Sequence, residues 1–240
     1  MPLRMSHMTR ALVTLGTGSH AELLEIAIPS FEAFADLHGY EIVTPELQSD
    51  RPASWWKVPA LKAALGVYEA ALWVDADVVI TDPSQDVPCP AGAWQALVLH
   101  HTGDGAVPSC AVWYVTRAML PVLDEVWGMT HRIDHGWWEQ AALMDLMGFQ
   151  HHFRPAYLSS PTRLFERTHW IDHGFNTHLW DAPGPEHPRF MHATMHPDRV
   201  AVMRDWAAGK VPPVPATACR HMYEIPGCPY CHGHFGRAAA

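Results

Sequence analysis

The stretch Ala71-Leu72-Trp73-Val74-Asp75-Ala76-Asp77-Val78-Val79-Ile80 sets the frame for the rest of this chain. Four apolar residues run into two aspartates, and three more apolar residues follow. An apolar run with no alternation suits a strand buried on both faces, as in a parallel sheet. Asp75 and Asp77 then fall where that strand ends. If the backbone is still extended there, residues two apart point to one side. Two carboxylates would project from the carboxyl edge of the sheet, where open α/β sheets bind ligands. Adjacent carboxylates repel and are costly to bury without a cation. A hard divalent metal resolves the conflict and can carry a diphosphate on its other side. The plainer reading has one aspartate capping the next element and the other solvated.

The chain's 240 residues fit one large α/β domain or one and a half small ones. With 48% hydrophobic and 17% charged residues it can bury a sizeable core, which argues against global disorder. A net charge of -9 argues against a nucleic-acid partner, although 18 histidines can change that charge at mildly acid pH. No stretch approaches the ~20 apolar residues needed to span a bilayer. Residues 1–10 carry charge with no apolar core, so they do not read as a secretory signal, and a cytoplasmic protein is expected. Five cysteines, three of them bunched near the end, do not make a disulfide framework.

Outward from the aspartates, Ala11-Leu12-Val13-Thr14-Leu15 reads as a first strand, and Gly16-Thr17-Gly18-Ser19 as a tight loop. That loop lacks the third glycine of a dinucleotide motif and the Gly-Lys-Ser/Thr of a phosphate loop, leaving a nucleoside wall or a plain turn. Leu23, Leu24, Ala27, Phe31, Phe34, Ala35 and Leu37 recur at helical spacing, predicting a helix over Ala21–His38 that Gly39 ends. Tyr40 to Thr44 then completes a β-α-β unit. Trp55-Trp56-Lys57 opens a second helix, with Pro59 in its first turn, ending near Tyr68. Lys57 is within reach of a phosphate, or is a solvated surface lysine.

Past the turn Thr81-Asp82-Pro83-Ser84, strands are expected at residues 94–99 and 109–115, and a helix at 117–129. His100-His101 is expected in a polar loop, as two surface residues. Trp137-Trp138-Glu139-Gln140 opens a helix through Met147, which Gly148 ends. Glu139 is favoured in a first turn by the helix dipole. The alternative has Glu139 and Gln140 facing the cleft, with Trp137 and Trp138 as an apolar wall for a sugar face. From His151 the chain is loop-rich, with short strands expected at 153–158 and 188–193 and His192 near the end of the second. Pro197 interrupts any helix there.

The ordered blocks Val13-Thr14-Leu15-Gly16-Thr17-Gly18, Trp56-Lys57, Leu72-Trp73-Val74-Asp75-Ala76-Asp77, Ala111 to Arg117, Trp138 to Leu143 and Phe190-Met191-His192 span residues 11–196. In that order they resemble the GT-A glycosyltransferases, most closely the group of α-galactosyl-, α-mannosyl- and xylosyltransferases. The resemblance implies a single domain over 11–215, with a Rossmann-like, mostly parallel central sheet flanked by helices and a loop-rich C-terminal part. Residues 1–10 form an extension, and 216–240 a Cys/His-rich tail. The resemblance also implies a UDP- or GDP-linked sugar donor, hexosyl or pentosyl transfer, and Mn2+ (or Mg2+) on Asp75, Asp77 and His192. Donor contacts fall to Thr14, Thr17, Gly18, Trp56, Lys57, Val74 and Ala76, acceptor contacts to Trp137 and Trp138, and catalytic roles to Glu139 and Gln140. The chain departs from the family with Glu139 where aspartate is usual, and with Ser109-Cys110 in place of an asparagine-containing turn. Retention of anomeric configuration follows from the subgroup.

Metal and Lys57 would stabilise the leaving diphosphate while Glu139 or Gln140 orients the sugar. His196, four residues after His192, competes as third ligand. One alternative is a haloacid-dehalogenase-like phosphatase using Asp75 and Asp77, although that motif usually lies near a chain start. Another is a non-catalytic nucleotide-sugar-binding domain. In the tail, Cys219, Cys228 and Cys231 with a nearby histidine have the ligand types of a structural Zn2+ site, or are reduced thiols in a loose tail.

Overall fold

Alternate residues of the apolar run preceding Asp75 belong to two different cores. Ala70, Leu72 and Val74 pack into one cluster, and Ala71 and Trp73 into the other. A strand that buries both faces has no polar side to present, so its sequence shows no alternation. The computed structural model describes residues 9–102, 105–151, 156–179 and 184–211. The Cys/His-rich tail and the first part of the strand expected at 153–158 lie outside the described residues.

The chain opens with strand β1 (Arg10–Val13), helix α1 (Ala21–His38) and strand β2 (Tyr40–Val43). Leu23, Ala27, Phe31, Phe34 and Ala35 are the buried stripe of α1. Gly39 ends the helix at φ 72°, a left-handed conformation that costs glycine nothing, and its N–H donates to the Ala35 carbonyl at 2.8 Å. Helix α2 (Lys57–Val67) follows a 3-10 turn at Ala53–Trp56 and leads into β3 (Ala70–Val74). Strand β3 lies parallel to β1. The chain then turns: Val78 N–H donates to the Asp75 carbonyl at 3.1 Å, and β4 (Val78–Ile80) leaves for a second, smaller sheet. The extended backbone expected across both aspartates is therefore a turn, and the apolar residues on its two sides belong to different sheets.

Strands β5 (Gln95–Thr102) and β6 (Gly105–Thr116) form an antiparallel hairpin, and β6 also pairs antiparallel with β3. Helices α3 (Leu120–Gly128) and α4 (Trp138–Met147) follow, then β7 (Phe149–His151), β8 (Ala156–Leu158), α5 (Arg163–Glu166) and β9 (Thr168–Ile171). The large sheet runs β2-β1-β3-β6-β5-β9, and along this path β6 alone opposes the others. Strands β10 (Thr177–His178) and β11 (Phe190–His192) join β4 in the small sheet. Helix α6 (Arg199–Ala207) packs on α1. One core lies under α1 and α6, with Phe31, Phe34, Phe190 and Trp206. The other lies under α2, α3 and α4, with Trp55, Leu61, Trp113 and Met144. The architecture is thus the expected α/β sheet with helices on both faces.

Two expectations are corrected. His100 and His101 belong to β5, not to a loop. They pair with Val107 and Ala106, and His100 is buried against His178 at 4.1 Å between ring centroids. Ladder hydrogen bonds come from the backbone, so a strand continues through polar residues wherever a partner strand is present. The helix expected at 117–129 begins as a 3-10 turn, Arg117–Met119, and becomes α-helical at Leu120.

Candidate active site

Asp75 and Asp77 stand at the point where the chain leaves the large sheet for the small one. Asp75 N–H donates to the Ala111 carbonyl of β6 at 2.8 Å, and Ala193 N–H donates to the Asp77 carbonyl at 2.8 Å, so both sheets pin the turn. The Asp75 carboxylate accepts hydrogen bonds from Trp73 Nε1 and from Lys57 Nζ at 3.1 Å. Lys57 is nearly inaccessible. Its ammonium also meets Glu139 Oε1 at 2.9 Å and the Cys110 carbonyl at 3.2 Å. Burial alone would depress the Lys57 pKa, but the Asp75 and Glu139 carboxylates outweigh it and hold the ammonium protonated.

Glu139 is supplied by the first turn of α4 and is 3% exposed. Burial pushes its carboxyl above the usual range, and Lys57 offsets only part of that. Its Oε2 has no hydrogen-bond partner. Gln140 Oε1 accepts from Cys110 N–H at 3.2 Å, so its oxygen is engaged by the β6 backbone. The preceding residue, Trp138, sits at φ 45° and is 42% exposed, and Trp137 N–H donates to His135 Nδ1 at 3.0 Å. A bulky residue in the left-handed region costs of order 1–3 kcal/mol and clusters at binding sites.

The small sheet brings His192. Its Nε2 is 3.3 Å from Asp77 Oδ1, and Arg199, at the start of α6, reaches Asp77 Oδ2 at 3.3 Å and His20 Nε2 at 3.0 Å. Burial raises the Asp77 pKa, but the His192 ring beside it, with His20 and Arg199, drives it well below the usual carboxylate range. Among the described residues, Asp75, Asp77 and His192 form one group whose ligand atoms lie within 4.8 Å of one another. Two carboxylate oxygens and one imidazole nitrogen are a donor set that can hold a divalent metal ion. His196 is outside this group; its Nδ1 contacts the Asp198 backbone.

The remaining predicted residues are distributed as follows. Thr14 is fully buried just after β1, with an unpartnered Oγ1, and Thr17 and Gly18 start the short turn before α1. Trp56 donates its Nε1 hydrogen to the Arg51 carbonyl at 2.9 Å. Val74 is wholly buried in the core, and Ala76 is buried within the aspartate turn. Sequence reasoning missed His20, Asn176, His178 and Arg199. The helix bearing Arg199 had a readable signal in Asp198, which caps it by accepting from Ala201 N–H at 3.0 Å.

No protein-family model matches the chain, and neither does any curated protein sequence. Solved structures do. A glycosyltransferase involved in glycosylation of the major capsid of PBCV-1 superposes with a TM-score of 0.60 at 16% identity, over 81% of this chain and 98% of that one. The galactosyltransferase LgtC, solved with donor and acceptor sugar analogs, gives 0.56 at 12% identity, over 85% and 98%. The glycosyltransferase GlyE of Streptococcus pneumoniae TIGR4 also gives 0.56 at 12% identity, with this chain covering 60% of its length. The fold is GT-A. The aspartate turn and His192 therefore stand at the carboxyl end of β3 in a GT-A sheet, where such sheets place ligands.

Proposed function

We propose that this chain is a metal-dependent glycosyltransferase that moves a hexose or pentose from a UDP- or GDP-linked donor to an acceptor, with retention. The observation that carries the reading is the convergence of Asp75, Asp77 and His192, with Lys57 bridging Asp75 to Glu139. The likeness in fold to glycosyltransferases supports it.

Asp75, Asp77 and His192 would hold a divalent ion, which when bound supplies positive charge against the leaving diphosphate. Lys57 keeps its proton and adds a fixed positive charge beside Asp75. Arg199 adds a second beside Asp77. Glu139 Oε2, buried without a partner, is available to accept from a sugar hydroxyl and to face positive charge developing on the ring. With Gln140 Oε1 engaged by Cys110, the Gln140 amide nitrogen is the end left to donate. Glu139, tied to Lys57 through Oε1, is read as a hydrogen-bond acceptor for the donor sugar rather than as the base for an incoming acceptor. That favours retention, with the departing phosphate receiving the acceptor's proton. Trp137 and Trp138 supply an apolar wall at the mouth, Trp138 being the more exposed.

The test is thermal denaturation of the full chain against a panel of UDP- and GDP-sugars with and without Mn2+, followed by nucleotide release from whichever sugars stabilise it. Stabilisation that requires both Mn2+ and one nucleotide-sugar class, and that disappears in Asp75→Asn and Asp77→Asn, is expected. Phosphate release from phosphomonoesters, with no response to any nucleotide sugar, would overturn the assignment.

A further inference from the structure

What holds the His192 ring in place is a buried polar chain that crosses from the small sheet to the large one. Asn176, wholly buried just before β10, has its Oδ1 3.0 Å from His192 Nδ1. Its Nδ2 donates to Ser109 Oγ on β6 at 2.7 Å and lies 3.2 Å from His100 Nε2 on β5. The β10–β11 register sets His178 opposite His192, with His178 Nε2 3.2 Å from the same Nδ1. Ser109, His100, Asn176, His178 and His192 are all buried.

A neutral imidazole carries one hydrogen on one nitrogen, and the other keeps the lone pair. His192 turns Nε2 toward Asp77, so Nε2 is the atom that can join the two aspartates as a ligand. Its hydrogen must then sit on Nδ1, away from water, and requires an acceptor there. A carboxamide oxygen can only accept. The His178 nitrogen beside it can present either a lone pair or a hydrogen, so it cannot by itself select the tautomer. Ser109 Oγ accepts from the other end of the Asn176 amide, with His100 Nε2 beside it, which keeps the amide oxygen turned toward His192.

We propose that Asn176 is a positioning residue: its side-chain oxygen holds His192 as the Nδ1–H tautomer and thereby sets the affinity of the Asp75–Asp77–His192 group for a divalent ion. This rests on the metal reading above. Partners behind metal-bound histidines typically change metal affinity by about 10–100-fold when removed.

The experiment is Mn2+ binding, with no nucleotide present, followed by electron paramagnetic resonance on the full-length chain. Asn176→Ala is expected to weaken binding by about 10–100-fold. Asn176→Asp keeps an acceptor at that place and is expected to bind much more tightly than Asn176→Ala. A second measurement needs no variant: long-range 1H–15N correlation on metal-free wild-type protein should show His192 with its hydrogen already on Nδ1. Wild-type affinity in a folded Asn176→Ala, equal losses in both variants, or a hydrogen on His192 Nε2 each overturns the assignment while leaving the metal site standing. Wild-type protein that binds no Mn2+ overturns the metal reading and this assignment together.

Discussion

Lys57→Met should destabilise the protein in a way that grows with pH. The substitution keeps the side chain's length and removes the ammonium that meets Glu139 at 2.9 Å and Asp75 at 3.1 Å. The two carboxylates do not suffer alike. Asp75 is 27% exposed at its side chain and is partly relieved by water, whereas Glu139 is 4% exposed and is left as a buried, unpaired charge. Breaking a buried pair from one side costs about 3–5 kcal/mol. Burial already raises the Glu139 pKa against the pull of Lys57, and removing Lys57 raises it further. A carboxyl whose folded pKa is raised contributes stability that is fully present below its unfolded value and is lost as pH climbs through the folded one. Each further unit of rise adds about 1.4 kcal/mol to the cost in the range where Glu139 must ionise. Lys57's own contribution is constant over that range, because its ordinary and folded values both lie above it. The loss relative to wild type should therefore be smallest near about pH 5 and largest near about pH 8. Urea unfolding followed by circular dichroism at the two pH values measures it. Lys57→Met with Glu139→Gln should recover part of the loss, since no buried carboxylate remains at 139. A cost under about 1 kcal/mol near pH 8, or one that does not change with pH, would refute the reasoning.

Three other outcomes are expected. His192→Ala should raise the Mn2+ concentration needed for donor turnover by about tenfold or more, while His196→Ala keeps the wild-type dependence; the reverse moves the third ligand to His196. Gly148→Ala should cost more than about 2 kcal/mol by thermal unfolding, because Gly148 sits at φ 91° and a Cβ there would lie 1.8 Å from the Ser160 carbonyl oxygen. Asp145 accepts from Arg132 at 2.7 and 2.9 Å and meets buried His151 at 3.0 Å. Burial raises its pKa, but those partners bring it below the ordinary carboxylate value. Its contribution is present above that ordinary value and lost as pH falls through the lowered one, so Asp145→Asn should cost about 1–3 kcal/mol at neutral pH and progressively less in acid.

Sequence and structure agree best where one segment carries its whole instruction. Helix α1 has a single apolar stripe and a glycine at its end, and the helix was legible to the residue. Strand β3 was legible because burial on both faces removes all polarity from it. The far half of β5 was not, since His100 and His101 are held by a partner strand rather than by local pattern. The same division runs through the site. Asp75 and Asp77 announce themselves in one triplet, and His192 was reached through a family resemblance. Asn176 and His178 meet His192 from a separate segment and Arg199 meets Asp77 from 122 residues away, and beyond the Asp198 cap no local signal marks them.

The switch between sheets at the aspartate turn also fixes an order of events during synthesis. Domains form from the amino end while the chain is still being made. A ribosome-bound chain that has released β1 to β9 owns both aspartates, Lys57 and Glu139, but has neither the strand that carries His192 nor the helix that carries Arg199. In that incomplete state β4 can pack on α1 but has no strand partner, because β11, which pairs with it in the small sheet, is still to come. The Asp75, Asp77 and His192 side chains come together only when the final third of the chain docks across the first. The Asp75-Ala76-Asp77 triplet alone therefore does not make the cluster: a chain that stops before β11 carries both aspartates but lacks His192.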